Sequence, residues 1–319
     1  MRVAVIMPLY HQRPQLLEPA IASILAQTHR DFHLMVFIDG ANRETRDALH
    51  RIKKQHGGRF SVHNAHKANQ GIAGTLNDAH DYILQRGGYD AITWVSSDNF
   101  HFPEMLELMI EQMARDPQCD VVFGRSMNFV RETGDYYDPL DVLAAPTTAE
   151  QIRAAEFVKP LHLIVYGLSP VFLYSARYAS FLYEPNLEFA EDLGFMTNVL
   201  NDVWSRGRTA RWAHRGYGMR YAAASPGSHT SFLQRNKELF IYRMGLVWQR
   251  INDAWAVLPY EEVHYTDPAW AEKGQHLSEA LPPKSKLMVL RVPAGEEVAW
   301  SRRVYDSGRV YHCVLPEEP

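Results

Sequence analysis

Ile92-Thr93-Trp94-Val95-Ser96-Ser97-Asp98-Asn99, followed by Phe100-His101-Phe102-Pro103, is the stretch on which the fold turns. An apolar run that gives way to hydroxyls, a carboxylate and an amide reads as a strand ending in a polar turn, and Pro103 suits the start of a following helix. Asp98 then stands at a strand's carboxyl end. In an open parallel sheet that rim is where ligands bind, so Asp98 is a candidate for holding a metal or a sugar hydroxyl. The plain alternative is that Ser97, Asp98 or Asn99 caps the next helix.

Upstream the same pattern repeats. Val3 to Met7 is a continuous apolar run of the kind that is buried on both faces, and Pro8-Leu9-Tyr10 breaks it. Leu16, Leu17, Ala20, Ile21, Ile24 and Leu25 then lay one apolar stripe along a helix, with Pro14 and Pro19 awkward for its first turns. Leu34 to Ile38 is a second buried strand, stopping at Asp39-Gly40. Arg43 to His56 is polar enough for a surface helix, Phe60 to His63 is a third strand, and Asn69-Gln70-Gly71 opens a helix that Gly87-Gly88 ends. Alternation of strands and helices predicts a doubly wound α/β fold with a mostly parallel sheet flanked by helices. Asp39 and Asp98 would share one rim of it. No Gly-x-Gly-x-x-Gly follows the first strand, which disfavours a dinucleotide-dependent dehydrogenase.

The chain has 319 residues, 46% of them hydrophobic, enough for one large domain or a domain with an appendage. Its net charge of -4 and scattered basic residues argue against affinity based on nucleic-acid phosphates. Cys119 and Cys313, far apart, support neither a disulfide framework nor a zinc site. Met1 to Met7 is too short for a signal peptide, and no stretch approaches the roughly 20 apolar residues of a membrane span. A cytoplasmic setting is expected.

Downstream, Pro103 to Arg115 reads as a helix, Val121 to Gly124 as a strand, and Asn128 to Thr148 as an irregular loop. Glu191 and Asp192 fall in an early turn of a helix continued by Leu193, Met196, Val199 and Leu200, where acid near an N-terminus needs no further explanation. His229 lies in the turn-rich Ser225 to Ser231. Phe240 to Leu258 describes an amphipathic helix. Leu287 to Val292, Glu297 to Tyr305 and Arg309 to Leu315 read as strands, the last two joined as a hairpin through Asp306-Ser307-Gly308.

These residues resemble the inverting, GT-A-type glycosyltransferases of family 2 over roughly residues 1 to 232. Val3 to Tyr10 looks like the family's first strand ending in a proline and an aromatic. Ser23-Ile24-Leu25-Ala26-Gln27-Thr28-His29-Arg30-Asp31-Phe32 is the most specific match. Ile38-Asp39-Gly40-Ala41 stands where the family has Asp-Asp-Gly-Ser, Asn69-Gln70-Gly71 to Asn77 resembles its Asn-x-Gly helix start, and Ser96-Ser97-Asp98 falls on its Asp-x-Asp motif. Glu191-Asp192 falls on its late acidic pair, and His229 on a histidine that can complete the metal site.

The resemblance implies a nucleotide-binding half at residues 1–125 and an acceptor half at 126–232, and the elements read beyond it form a helix-plus-β appendage at 233–319. It also implies a nucleotide diphosphate sugar, UDP-linked in the first instance, as donor. A divalent cation, Mn²⁺ or Mg²⁺, would be held by Asp98 and His229. Pro8, Tyr10, Asp39, Asn69, Asn77, Ser96 and Ser97 would line the donor pocket, with Asp39 accepting from the base and Tyr10 stacking on it. Asp192, beside Glu191, would be the base that deprotonates the acceptor hydroxyl. The acceptor can be a glycan, a small molecule, a protein or a modified nucleic-acid base. Ser96 and Ile38 replace two acidic residues of the family pattern, which leaves open a catalytically idle binding module for nucleotide sugars or glycans. A nucleotidyltransferase, which shares the layout, lacks here the glycine- and arginine-rich N-terminal loop it needs.

Overall fold

The computed structural model describes residues 1–129, 136–137, 157–158, 171–185, 191–213, 215–222, 287–292 and 311–316. The first half alternates as the periodicity predicts: β1 (Val3–Leu9), α1 (Pro14–Leu25), β2 (Phe32–Asp39), α2 (Arg43–His56), β3 (Phe60–His66), α3 (Gly71–Arg86) and β4 (Ala91–Trp94). Then follow β5 (Phe100–His101), α4 (Met105–Ala114), β6 (Cys119–Gly124), β7 (Ser126–Phe129), β8 (Tyr136–Tyr137), β9 (Phe172–Ser175), α5 (Glu191–Ser205), β10 (Thr209–Ala213) and β11 (Met219–Ala222). A seven-stranded sheet has the order β10-β6-β9-β4-β1-β2-β3. Within it β1, β2, β3 and β4 run parallel, as do β6 and β10, and β9 alone runs antiparallel to both its neighbours.

Both faces of the sheet are covered, which is why the runs Val3 to Met7 in β1 and Leu34 to Ile38 in β2 are apolar at every position rather than at alternate ones. Ala4, Ile6, Met35 and Phe37 face α3 and α5 through Leu76, Ile83, Phe195 and Leu200. The alternate residues Val3, Val5, Met7, Leu34 and Val36 face α1, α2 and α4 through Leu17, Ile21, Leu49 and Met109. α1 begins at Pro14, whose missing N–H costs nothing at a helix start, and accommodates Pro19 inside it.

Several expectations change. Pro8 does not break β1, which continues through Leu9. The ladder to β4 ends at Ile6 opposite Trp94, so Pro8 sits where β1 has outrun that neighbour and no donor is missed. Between Asp98 and the next helix lies β5, part of a second sheet ordered β5-β11-β7-β8 that no apolar period announces. Asn128 to Thr148 is therefore not wholly irregular: Asn128 and Phe129 pair with Tyr137 and Tyr136. The expected strand Leu287–Val292 is present as β12, and its partner β13 (Tyr311–Pro316) runs parallel to it. The amphipathic helix at Phe240 to Leu258 and the strand at Glu297 to Tyr305 lie outside the described residues. Among the described residues no helix is long and apolar enough to cross a membrane.

Candidate active site

β1, β2 and β4 are adjacent and parallel, so Tyr10, Asp39 and the Ser96 to Asp98 turn emerge side by side from one rim. Asp39 ends β2 and is only 3% exposed. Its Oδ1 accepts from His66 Nδ1 at 2.9 Å and from the Gln70 N–H at 2.8 Å, and its Oδ2 accepts from the Gly71 N–H at 3.0 Å. The carboxylate thus caps α3 from another element, where the helix dipole favours its charge. Asn69 Oδ1 shares the Gly71 N–H at 2.8 Å. His66 turns its Nε2 to Asp78 Oδ2 at 3.0 Å, so the ring sits between two carboxylates. Gly40 makes this corner possible. Its φ is +66°, and a Cβ there would lie 2.6 Å from the Asn69 nitrogen.

Tyr10 follows β1, 43% exposed, with its ring stacked on His11 at 3.7 Å between centroids and 16° between planes. His11 Nδ1 accepts the Asn42 N–H at 3.0 Å. Next to it, Gln12 is fixed through Thr45: its N–H donates to Thr45 Oγ1 at 2.9 Å and its carbonyl accepts from that hydroxyl at 3.0 Å. Gln12 Nε2 then donates to Ser97 Oγ at 3.2 Å, which ties the loop after β1 to the turn after β4.

Asp98 is half-buried, and that burial raises its pKa above the ordinary aspartate value, against the opposing effect of its own backbone N–H. It does not cap the following helix, and neither do Ser97 or Asn99. α4 starts at Met105 without a side-chain cap from Glu104, and the Leu106 N–H is taken at 3.0 Å by Gln27 Oε1. Gln27, fully buried, also donates to the Phe102 carbonyl at 2.8 Å. The plain reading therefore fails at Asp98, while at Asp39 the same kind of carboxylate is a cap.

Glu191 and Asp192 open α5 as expected. Asp192 Oδ1 accepts the Leu193 N–H at 2.7 Å, and burial raises the pKa of its carboxyl. Asn77 is placed differently from the expectation: both ends of its amide are spent on the backbone of Tyr183, at 2.8 Å each. Pro8 is half-buried one residue before the end of β1. His229 lies outside the described residues. Among the described residues no group of three or more His, Cys, Asp or Glu side chains is arranged to hold a metal ion. Gln12, His66 and Tyr183 were not singled out by sequence, because each matters through a partner distant in the chain and none belongs to a motif.

The glycosyl transferase family 2 sequence profile matches residues 4–172. The chain is 27% identical over 137 residues to Protein CgeD of Bacillus subtilis (strain 168), covering 42% of this chain and 32% of that protein. It is 29% identical over 119 residues to the succinoglycan biosynthesis protein ExoW of Rhizobium meliloti (strain 1021), covering 37% and 36% respectively. It thus spans about a third of the length of either relative. Among solved structures, S. aureus TarS 1-349 in complex with UDP-GlcNAc superposes with a TM-score of 0.57 at 18% identity, over 78% of this chain and 66% of that one. The mannosyltransferase PcManGT from Pyrobaculum calidifontis, in complex with GDP-Man and Mn²⁺, gives 0.54 at 17% identity, over 88% and 81%. At such identities the likeness speaks for the fold, which is the GT-A arrangement the motifs implied. With more than half of its length matched by the profile, the chain belongs to glycosyl transferase family 2.

Proposed function

We propose that the chain transfers a glycosyl group from a nucleotide diphosphate sugar, a UDP-sugar in the first instance, to a hydroxyl acceptor with inversion at the anomeric carbon. The observation that carries this reading is the common rim of Tyr10, Asp39 and Ser96 to Asp98 on three adjacent parallel strands. Tyr10 offers a ring face to the base, and Pro8 and Asn69 bound the pocket. A carboxylate accepts at about four positions. Asp39 uses three of these within the protein, leaving one for a donor such as the base N3–H. Ser96 and Ser97 supply hydroxyls for the ribose.

Asp98 and His229 would hold a divalent cation, Mn²⁺ or Mg²⁺. The fit rests on Asp98, a half-buried oxygen ligand whose charge is costly until a cation accompanies it. Such an ion supplies neutralisation of the charge that develops on the departing diphosphate. Asp192 accepts the proton of the acceptor hydroxyl as that oxygen attacks, with Glu191 beside it in the same helical turn. Burial brings the pKa of Asp192 nearer the working pH, which improves a general base. TarS was solved with UDP-GlcNAc and PcManGT with GDP-Man and Mn²⁺, which supports a nucleotide-sugar donor and leaves two bases to compare.

The test is turnover of UDP- and GDP-sugar panels with Mn²⁺ or Mg²⁺ and a broad set of hydroxyl acceptors. Cation-dependent transfer is expected, with Asp192→Asn lowering kcat by about 100-fold or more at nearly unchanged donor affinity. Asp192 works only when ionised, so kcat should fall as pH drops through its raised pKa, giving an acid limb above the ordinary aspartate range of about 3.9. Binding of a donor without turnover would favour the idle module. Release of pyrophosphate from a nucleoside triphosphate would point to a nucleotidyltransferase.

A further inference from the structure

Between the donor rim and the helix that carries Asp192 lies a buried assembly that no step above uses. α3 begins at the rim, where Asp39 caps it, and two turns later presents Asn77. The Asn77 amide donates from Nδ2 to the Tyr183 carbonyl and accepts the Tyr183 N–H at Oδ1, both at 2.8 Å. This is strand-like pairing made by a side chain. One turn further, His80 Nδ1 lies 3.2 Å from the Phe181 carbonyl and Nε2 lies 2.7 Å from the Tyr174 hydroxyl. A carbonyl only accepts, so Nδ1 carries the proton, and in the neutral ring Nε2 accepts from Tyr174. The Tyr174 oxygen is thereby available to Tyr183 Oη at 3.4 Å.

Tyr183 also reaches α5. Its ring lies face to face on Phe195, with centroids 4.0 Å apart and planes at 9°. Phe195 stands three residues after Asp192, so the stack is one helical turn from that carboxylate and on the same face. Tyr174, Tyr183 and His80 are fully buried, and Phe195 nearly so. Burial, Tyr174 and the nearby Asp192 and Glu191 all hold the Tyr183 phenol neutral.

We infer that Asn77 and Tyr183 are positioning residues for Asp192, fixing the first turn of α5 relative to the helix that Asp39 anchors at the donor rim. The assignment rests on the reading of Asp192 as the base. A close-packed ring stack has little freedom to slide, and a misplacement of about 1 Å in a reacting group is costly to turnover. It also takes Asn77 away from the nucleotide: its replacement should act on turnover rather than on donor binding.

The experiment uses the full chain, UDP with Mn²⁺ as the binding probe, and the best donor and acceptor from the panels. Asn77→Leu and Tyr183→Leu should lower kcat by about 10-fold with donor KM and UDP affinity within about 2-fold of the parent. Tyr183→Phe, which keeps the stack, should restore kcat to within about 3-fold of the parent. In an Asp192→Asn background neither leucine variant should lower the residual rate further. If Tyr183→Leu does not fold, Phe195→Leu removes the other half of the stack and serves the same comparison. Unchanged kcat in folded leucine variants, or a raised donor KM at unchanged kcat for Asn77→Leu, would overturn the assignment. Full transfer by Asp192→Asn alone would overturn the base reading, and this assignment with it, and is recognised from that variant by itself.

Discussion

Asp39 and Asp98 are both strand-end carboxylates, yet their surroundings differ: one meets donors inside the protein and the other does not cap a helix. Asp39 is supplied with three donors and a helix N-terminus. Asp98 is half-buried with a raised pKa, so above that pKa its ionisation works against folding, and the cost disappears as pH falls below it. Asp98→Asn should therefore raise the melting temperature of the cation-free protein at pH 7 by about 2 °C, with the gain vanishing in acid. The same variant should weaken Mn²⁺-dependent UDP binding by about 10-fold or more. Calorimetry at two pH values and titration with UDP check both, and unaltered cation-dependent binding would remove Asp98 from that role. Sequence placed the two carboxylates on one rim but did not show which of them meets donors inside the protein, because a motif names a residue without naming its donors.

At the scale of elements, the most specific stretch of the sequence turns out to be a fastening. Ser23 Oγ accepts the His101 N–H at 3.1 Å, Gln27 binds the Phe102 carbonyl and the Leu106 N–H, and Thr28 Oγ1 donates to Glu107 at 2.6 Å. The end of α1 thus holds the start of α4, just beyond the Asp98 turn. Gln27→Ala would leave a buried N–H and a buried carbonyl without these partners, so unfolding in urea should show a loss of about 2–4 kcal/mol. A loss below about 0.5 kcal/mol would mean that water or another side chain takes over both bonds. The helix itself was legible from its apolar stripe. Its tether was not, since Gln27 and Leu106 are 79 residues apart and neither period registers such a pair.

For the whole molecule, His80 and His101 are the most strongly shifted histidines among the described residues, and they should weigh most in the response to acid. Burial lowers the pKa of His80 to about 4 and that of His101 to about 3. In the unfolded chain both take up protons near pH 6.5, so stability should fall as pH drops from there and level off below the folded-state values. For His80 alone the loss is on the order of 3 kcal/mol. His101→Phe should flatten the decline measured between pH 6.5 and pH 4 by about half, and an unchanged slope would show that other groups control acid unfolding.

The alternation of apolar runs by itself determined the parallel half of the sheet, its covered faces and the rim where the acidic residues gather. It did so because strand and helix periods are local and a parallel crossover has one favoured hand. Only the tertiary structure decided the antiparallel β9, the second sheet, and the hydrogen-bond partners of Asp39, Gln27 and Asn77. Those depend on which donor or acceptor arrives from far along the chain, as when Asn77 meets the Tyr183 backbone across 106 residues. Hydrogen bonds of that kind follow distance and direction in space, and they leave no spacing in the sequence to read.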